Sequence, residues 1–164
     1  MSTLPIRRST APSLIGVAVA AVLAACSVFR GTDSNGQLQQ LLNDSEGLWA
    51  KAALHNYVYD FRHDCDNCSG DSTVTVHVIV KNDVVSKVVR TSDSLPPDVA
   101  VSVYATVTQL FAITQSALGG KSSLVNGTFD TTDGHPVFIQ IVPKTNSAAI
   151  GHVYQIVNFA AVTP

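Results

Sequence analysis

The chain has 164 residues, 46% hydrophobic and 13% charged, a globular composition rather than a disordered or fibrous one. Ten Lys and Arg against 12 Asp and Glu give a formal charge of −2 and leave no basic stripe for a phosphate backbone, which excludes nucleic acid as a partner.

Residues 1–25 have the form of a bacterial export signal. Arg7 and Arg8 supply the positive start, and the uncharged run Leu14 to Ala25 follows, twelve residues long. As a helix that run would rise about 18 Å against roughly 30 Å of bilayer hydrocarbon, too short to span and right for a signal-peptide core. Leu23-Ala24-Ala25-Cys26 resembles the lipobox of bacterial lipoproteins. That resemblance implies a diacylglyceryl group on the Cys26 thiol and cleavage just before it, so the expected anchor is lipid, not a membrane helix. The remaining chain would carry 8 positive and 12 negative charges, a net −4. Residues 26–36, with Gly31, Thr32, Asp33, Ser34, Asn35 and Gly36, are expected to form a flexible tether, and residues 37–164 a single α+β domain.

Within that domain Leu38, Leu41, Leu42, Leu48, Trp49, Ala52 and Ala53 recur at helical spacing and predict a helix over Gln37–Leu54. Asn56–His63 switches to period two, with Tyr57, Tyr59 and Phe61 on one face and Val58, Asp60 and Arg62 on the other. Thr73–Lys81 alternates again, Val74, Val76, Val78 and Val80 inward and Thr75, His77 and Lys81 outward. Asn82-Asp83 then turns the chain into a strand over Val84–Arg90, an antiparallel hairpin. Pro96 and Pro97 break regular structure. Val99–Ala105 leads into a second helix, which the capping-box pair Thr106 and Gln109 starts and Gly119-Gly120 stops. Ser122–Asp130, Val137–Val142 and His152–Phe159 are three further strands, the first two joined at Thr132-Asp133-Gly134. The order is helix, three strands, helix, three strands: two helices packed on a mainly antiparallel sheet, with a weak internal duplication as one explanation of the order.

The segment from Trp49 to Phe159 resembles the bacterial lipoprotein family known as domain of unknown function 6174. Trp49 followed by Asn56-Tyr57, the pair Cys65 and Cys68, the turn Asn82-Asp83, Leu110-Phe111 and the run Asp130 to Pro136 carry the likeness. It implies a fold and an envelope location and brings no catalytic residue. Where that family often has an acidic loop before the last strand, this chain has Lys144 to Gly151, which removes a cation site.

Of three cysteines, one taken by lipid leaves Cys65 and Cys68 as an even pair in an oxidising compartment, which predicts a structural disulfide. Redox exchange is the competing use of the pair. It needs a stabilised thiolate, and Asp64, Asp66 and Asp71 work against one. A zinc set of His63, Cys65, Cys68 and His77 competes with the disulfide for the same sulfurs. Asp64, Asp66, Asn67, Gly70 and Asp71 imitate a calcium loop but put glycine one place late and Thr75 where the glutamate belongs. Ser69 after Cys68 excludes c-type haem attachment. His55, His135 and His152 are expected to be ordinary solvated or hydrogen-bonded histidines. Trp49, Tyr57 and Tyr59 fit core packing better than a ligand cleft, and the sequon Asn126-Gly127-Thr128 has no bearing on a bacterial lipoprotein. No nucleophile elbow, metalloprotease helix or phosphate loop is present. The expected function is therefore a non-catalytic binding domain on a lipid-anchored envelope protein, with no cofactor, no metal and no catalytic residue. Its partner would be an envelope protein, a lipid or a cell-wall polymer, in addition to the membrane reached through Cys26. The competing function is an exported thiol-disulfide redox protein or another envelope enzyme.

Overall fold

In the computed structural model, which describes residues 34–66, 68, 73–120, 123–144 and 150–162, the elements follow the predicted order. They are α1 (Ser34–Ala52), β1 (Tyr57–Cys65), β2 (Val76–Lys81), β3 (Val84–Arg90), α2 (Val107–Gly119), β4 (Ser123–Phe129), β5 (Pro136–Pro143) and β6 (His152–Ala161). The export signal 1–25, Cys26 and the tether as far as Asp33 lie outside the described residues. No helix among the described residues is long and apolar enough to cross a membrane.

Two expectations about α1 need correcting. The helix begins at Ser34, so the last three residues assigned to the tether form its first turn. Their polar composition hid this, because a first turn needs no apolar residue once Leu38 and Leu42 below it are buried. The buried stripe is also narrower than predicted: Leu38, Leu42, Ser45 and Trp49 face inward, while Leu41 is exposed. The helix ends where Ala53 takes a positive φ of 49° and its N–H returns to the Trp49 carbonyl.

The start of α2 is written in its capping box. The Gln109 N–H donates to Thr106 Oγ1 at 3.2 Å, and the Thr106 N–H donates to Gln109 Oε1 at 2.7 Å. Ahead of it the alternating Val99, Val101 and Val103 make no strand. Val101 and Val103 begin and end a short 3-10 turn that follows the proline pair.

All six strands join one antiparallel sheet in the order β3-β2-β1-β6-β5-β4. Each half is a hairpin meander, and the halves meet through β1 and β6 at the centre. Both helices lie on the same face, because the Tyr57 ring touches Trp49 of α1 and its hydroxyl meets the Val107 N–H of α2. Tyr57, Tyr59, Phe61, Val76, Val78, Val80, Ile139 and Ile156 fill the space between sheet and helices, each buried side chain contributing roughly 1.5–3 kcal/mol.

This arrangement bears on the duplication. Laying β1-β2-β3 over β4-β5-β6 keeps the left-to-right order of strands but reverses their direction, since β4 runs opposite to β1. The rotation that does this turns the sheet over and would put the two helices on opposite faces. They share one face, so the two halves are not copies related by a rigid rotation.

A bulge between β1 and β6 sets the centre of the sheet. Asn158 there has a φ of 53°, tolerable for Asn, and its side-chain amide donates to Asp60 Oδ2 at 2.7 Å. Asp60 also pairs with His77 Nδ1 at 2.8 Å, all on the face away from the helices.

Candidate functional site

A cleft of about 560 Å³ opens where the end of α1, the β2–β3 turn and the start of α2 converge. Asn82 and Asp83 have φ of 50° and 63°, the both-positive geometry of a two-residue hairpin turn. That turn is tied down by the Asp83 N–H on the His55 carbonyl and the Asn82 N–H on Asn56 Oδ1. Asp83 is thereby held opposite His55, Oδ2 to Nδ1 2.7 Å, with both side chains more than half exposed at the rim. Trp49, Ala53 and Leu54 supply the apolar wall, Thr106, Thr108 and Gln109 the polar one. A second hollow of about 320 Å³ shares Asp83, Thr106 and Gln109 and extends the groove toward Tyr104.

The floor is rigid. Trp49 meets Tyr57 edge to face at 5.2 Å and Phe159 at 5.9 Å, and Tyr57 lies over Tyr59 at 6.0 Å. Tyr57 accepts the Val107 N–H at 3.2 Å, and Tyr59 donates to the Ala105 carbonyl. Burial pushes the Tyr57 hydroxyl up to about 12, against the opposing hydrogen bond from Val107, and pushes Tyr59 well above the ordinary phenol range. Both phenols stay neutral at any physiological pH and act as hydrogen-bonding groups, not as acids. The three aromatics are thus core residues, as their spacing predicts, and Trp49 also lines the cleft.

A second cluster lies at the other end of β1. Cys65, the last residue of β1, is bonded to Cys68, with the Cys68 N–H returning to the Cys65 carbonyl at 3.1 Å. His63 lies two residues earlier on the same face and meets His152 of β6, Nε2 to Nδ1 3.1 Å. Their centroids are 5.3 Å apart with planes inclined by 21°, so the rings touch edge to edge, while Tyr154 covers His63 at 4.4 Å. Partial burial and the neighbouring His152 hold the His63 imidazole below its ordinary range, with Asp64 opposing.

The zinc set weighed from the sequence is not assembled. His77 projects from the face away from the helices, toward Asp60, whereas His63 shares the opposite face with Phe61 and Tyr154. Of the residues weighed as a calcium loop, the two acids that are described have other partners. Asp66 accepts the N–H groups of Ile150 and Gly151 at 2.9 Å each, and Asp64 is held by Arg62 at 2.8 Å. Asn67, Gly70 and Asp71 lie outside the described residues. His135 is nearly buried on Phe159, 4.1 Å away, with Nδ1 on Asp133 at 2.6 Å. Asp130 next to it accepts N–H groups from Thr132 and Asp133, and the Thr132 bond chiefly holds its carboxyl below the usual range. That cluster is the frame of the β4–β5 turn.

Sequence reasoning missed His55 with Asp83 and His63 with His152. Their separations of 28 and 89 residues depend on the hairpin and on the β1–β6 pairing, which no local pattern shows.

Comparison with known proteins finds no match among curated proteins and none among solved structures. A family model does match, from Leu41 to Ala161, covering α1 from Leu41 onward, α2, the sheet, the cleft and both histidine pairs. The chain belongs to the family of unknown function DUF6174.

Proposed function

We propose that this chain is a lipid-anchored protein of the bacterial envelope whose folded domain binds a partner without transforming it. The cleft beside Trp49 is the binding site. The observation that carries this is the cleft's construction: an aromatic and aliphatic wall on a rigid floor, faced by a few fixed polar groups, the composition of a recognition site. Its chemistry offers little for catalysis. The Thr106 hydroxyl oxygen is committed to the cap of α2, and the His55–Asp83 pair stands largely in solvent. The lipobox at Leu23 to Cys26 supports the anchor. Confinement at the membrane raises the effective concentration of the cleft for an envelope partner, whether protein, lipid or cell-wall polymer.

Photocrosslinking in bacteria expressing the full chain tests this. A photoreactive residue at Leu54, in the cleft, should yield a reproducible adduct, and one at Gln140, on the helix-free face of β5, should not. If only Gln140 crosslinks, the site is misplaced. If the purified protein reduces disulfides or turns over a substrate and Cys65→Ser abolishes it, the domain is an enzyme.

A further inference from the structure

We propose that His63, His152 and Cys65 form a zinc site that the Cys65–Cys68 disulfide keeps closed. Zinc then binds the domain only after reduction, at the opposite end of β1 from the cleft and independently of it. His63, His152 and Cys65 each offer a ligand atom, a ring nitrogen or Sγ, and the three atoms all lie within 4.8 Å of one another. Two imidazole nitrogens and a thiolate are the donors that zinc takes in tetrahedral sites. The imidazole nitrogens already face each other at hydrogen-bond distance, 3.1 Å, where a cation would sit. Tyr154 fixes the plane of His63, and His152 is exposed enough to open the pair by the few tenths of an ångström that a metal needs. Adjacent strands hold both histidines, so the site is set by the β1–β6 ladder: Cys65 lies opposite His152, and His63 opposite Tyr154.

In the structure the third donor is spent, because Cys65 Sγ is bonded to Cys68. A dithiol reductant changes this by a balanced exchange: its two thiols form a disulfide, the Cys65–Cys68 bond breaks, and two electrons and two protons pass to the cysteines. Zinc then displaces the proton of the Cys65 thiol into solvent, and the proton held between the imidazoles moves by way of solvent to the other nitrogen of its own ring, so that both rings stay neutral as one Zn–S and two Zn–N bonds form. Disulfide and metal are mutually exclusive states of one cluster.

The test is competition of the full chain with a chelating zinc dye, in detergent, with and without a dithiol. The oxidised protein should leave the dye loaded and the reduced protein should strip it. In the reduced state His152→Gln and His63→Gln should each weaken binding at least about tenfold, a loss no smaller than that for removing a group which merely supports a ligand. His77→Gln, on the other face, should bind as the wild type does. Reduced His152→Gln binding as tightly as wild type would leave the cysteines alone as the site and overturn the proposal. So would equal binding by oxidised and reduced protein. Should the histidine variants not fold, alkylation of the reduced wild type decides: zinc must slow the labelling of Cys65, and unchanged labelling overturns the assignment.

Discussion

Tyr59 joins the layers through a single hydroxyl, which reaches from the middle of β1 to the Ala105 carbonyl just before α2. Tyr59→Phe leaves that acceptor without its donor in the core and should lower stability by about 1–3 kcal/mol, measurable by urea denaturation with little change in the far-ultraviolet spectrum. His63 makes the stability depend on pH. Its folded imidazole is held below its ordinary range, by burial first and by His152 second, so the unfolded chain takes up its proton at higher pH than the native state does. Its contribution is therefore fully present above the ordinary imidazole value of about 6.5 and is lost as pH falls through the folded value. Denaturation midpoints between neutral and mildly acidic pH should fall for the wild type and fall less for His63→Gln. The period-two patterns of β1 and β2 made Tyr59 and the valines legible as core. The partner of His63 was not legible, because it lies on a strand at the far end of the chain.

At the scale of elements, the β4–β5 turn is locked to α1 by the absence of a side chain. Gly134 has a φ of 82°, and a Cβ there would stand 2.1 Å from the Ser45 carbonyl oxygen of α1. Gly134→Ala should cost about 2–5 kcal/mol, combining the left-handed backbone with the overpacking, and thermal denaturation would show it. The disulfide closes a much smaller loop. Replacing both Cys65 and Cys68 by serine should lower stability by about 2 kcal/mol at most and leave the sheet intact, as circular dichroism would report. Element boundaries were legible where chemistry marks them. The capping box starts α2 and Asn82-Asp83 turns β2 into β3, both as the residues predict. They were illegible where packing decides. Thr73 and Val74 continue the alternation of β2, yet the strand begins at Val76. The first turn of α1 reads like linker because Asn35, Gly36 and Gln37 bring no apolar side chain to the core.

For the whole molecule, the class and element order followed from alternating hydrophobic periods, whereas the strand order 3-2-1-6-5-4 did not, since hairpins fix neighbours within each half but nothing local says that β1 meets β6. The cleft shares that dependence: Trp49, Asp83 and Gln109 come together only once both helices lie on the same face. The proposed attachment to a membrane belongs to this scale too, and it would place the proposed binding site near an envelope partner. Changing Cys26→Ala should release the protein from the membrane fraction or leave its precursor uncut. The most direct test is the intact mass of the full chain after expression in bacteria and extraction from membranes. The expected product is a mature protein lacking residues 1–25, blocked at Cys26 and heavier than its polypeptide by a diacylglyceryl group. A soluble protein that starts elsewhere and carries no lipid would contradict it.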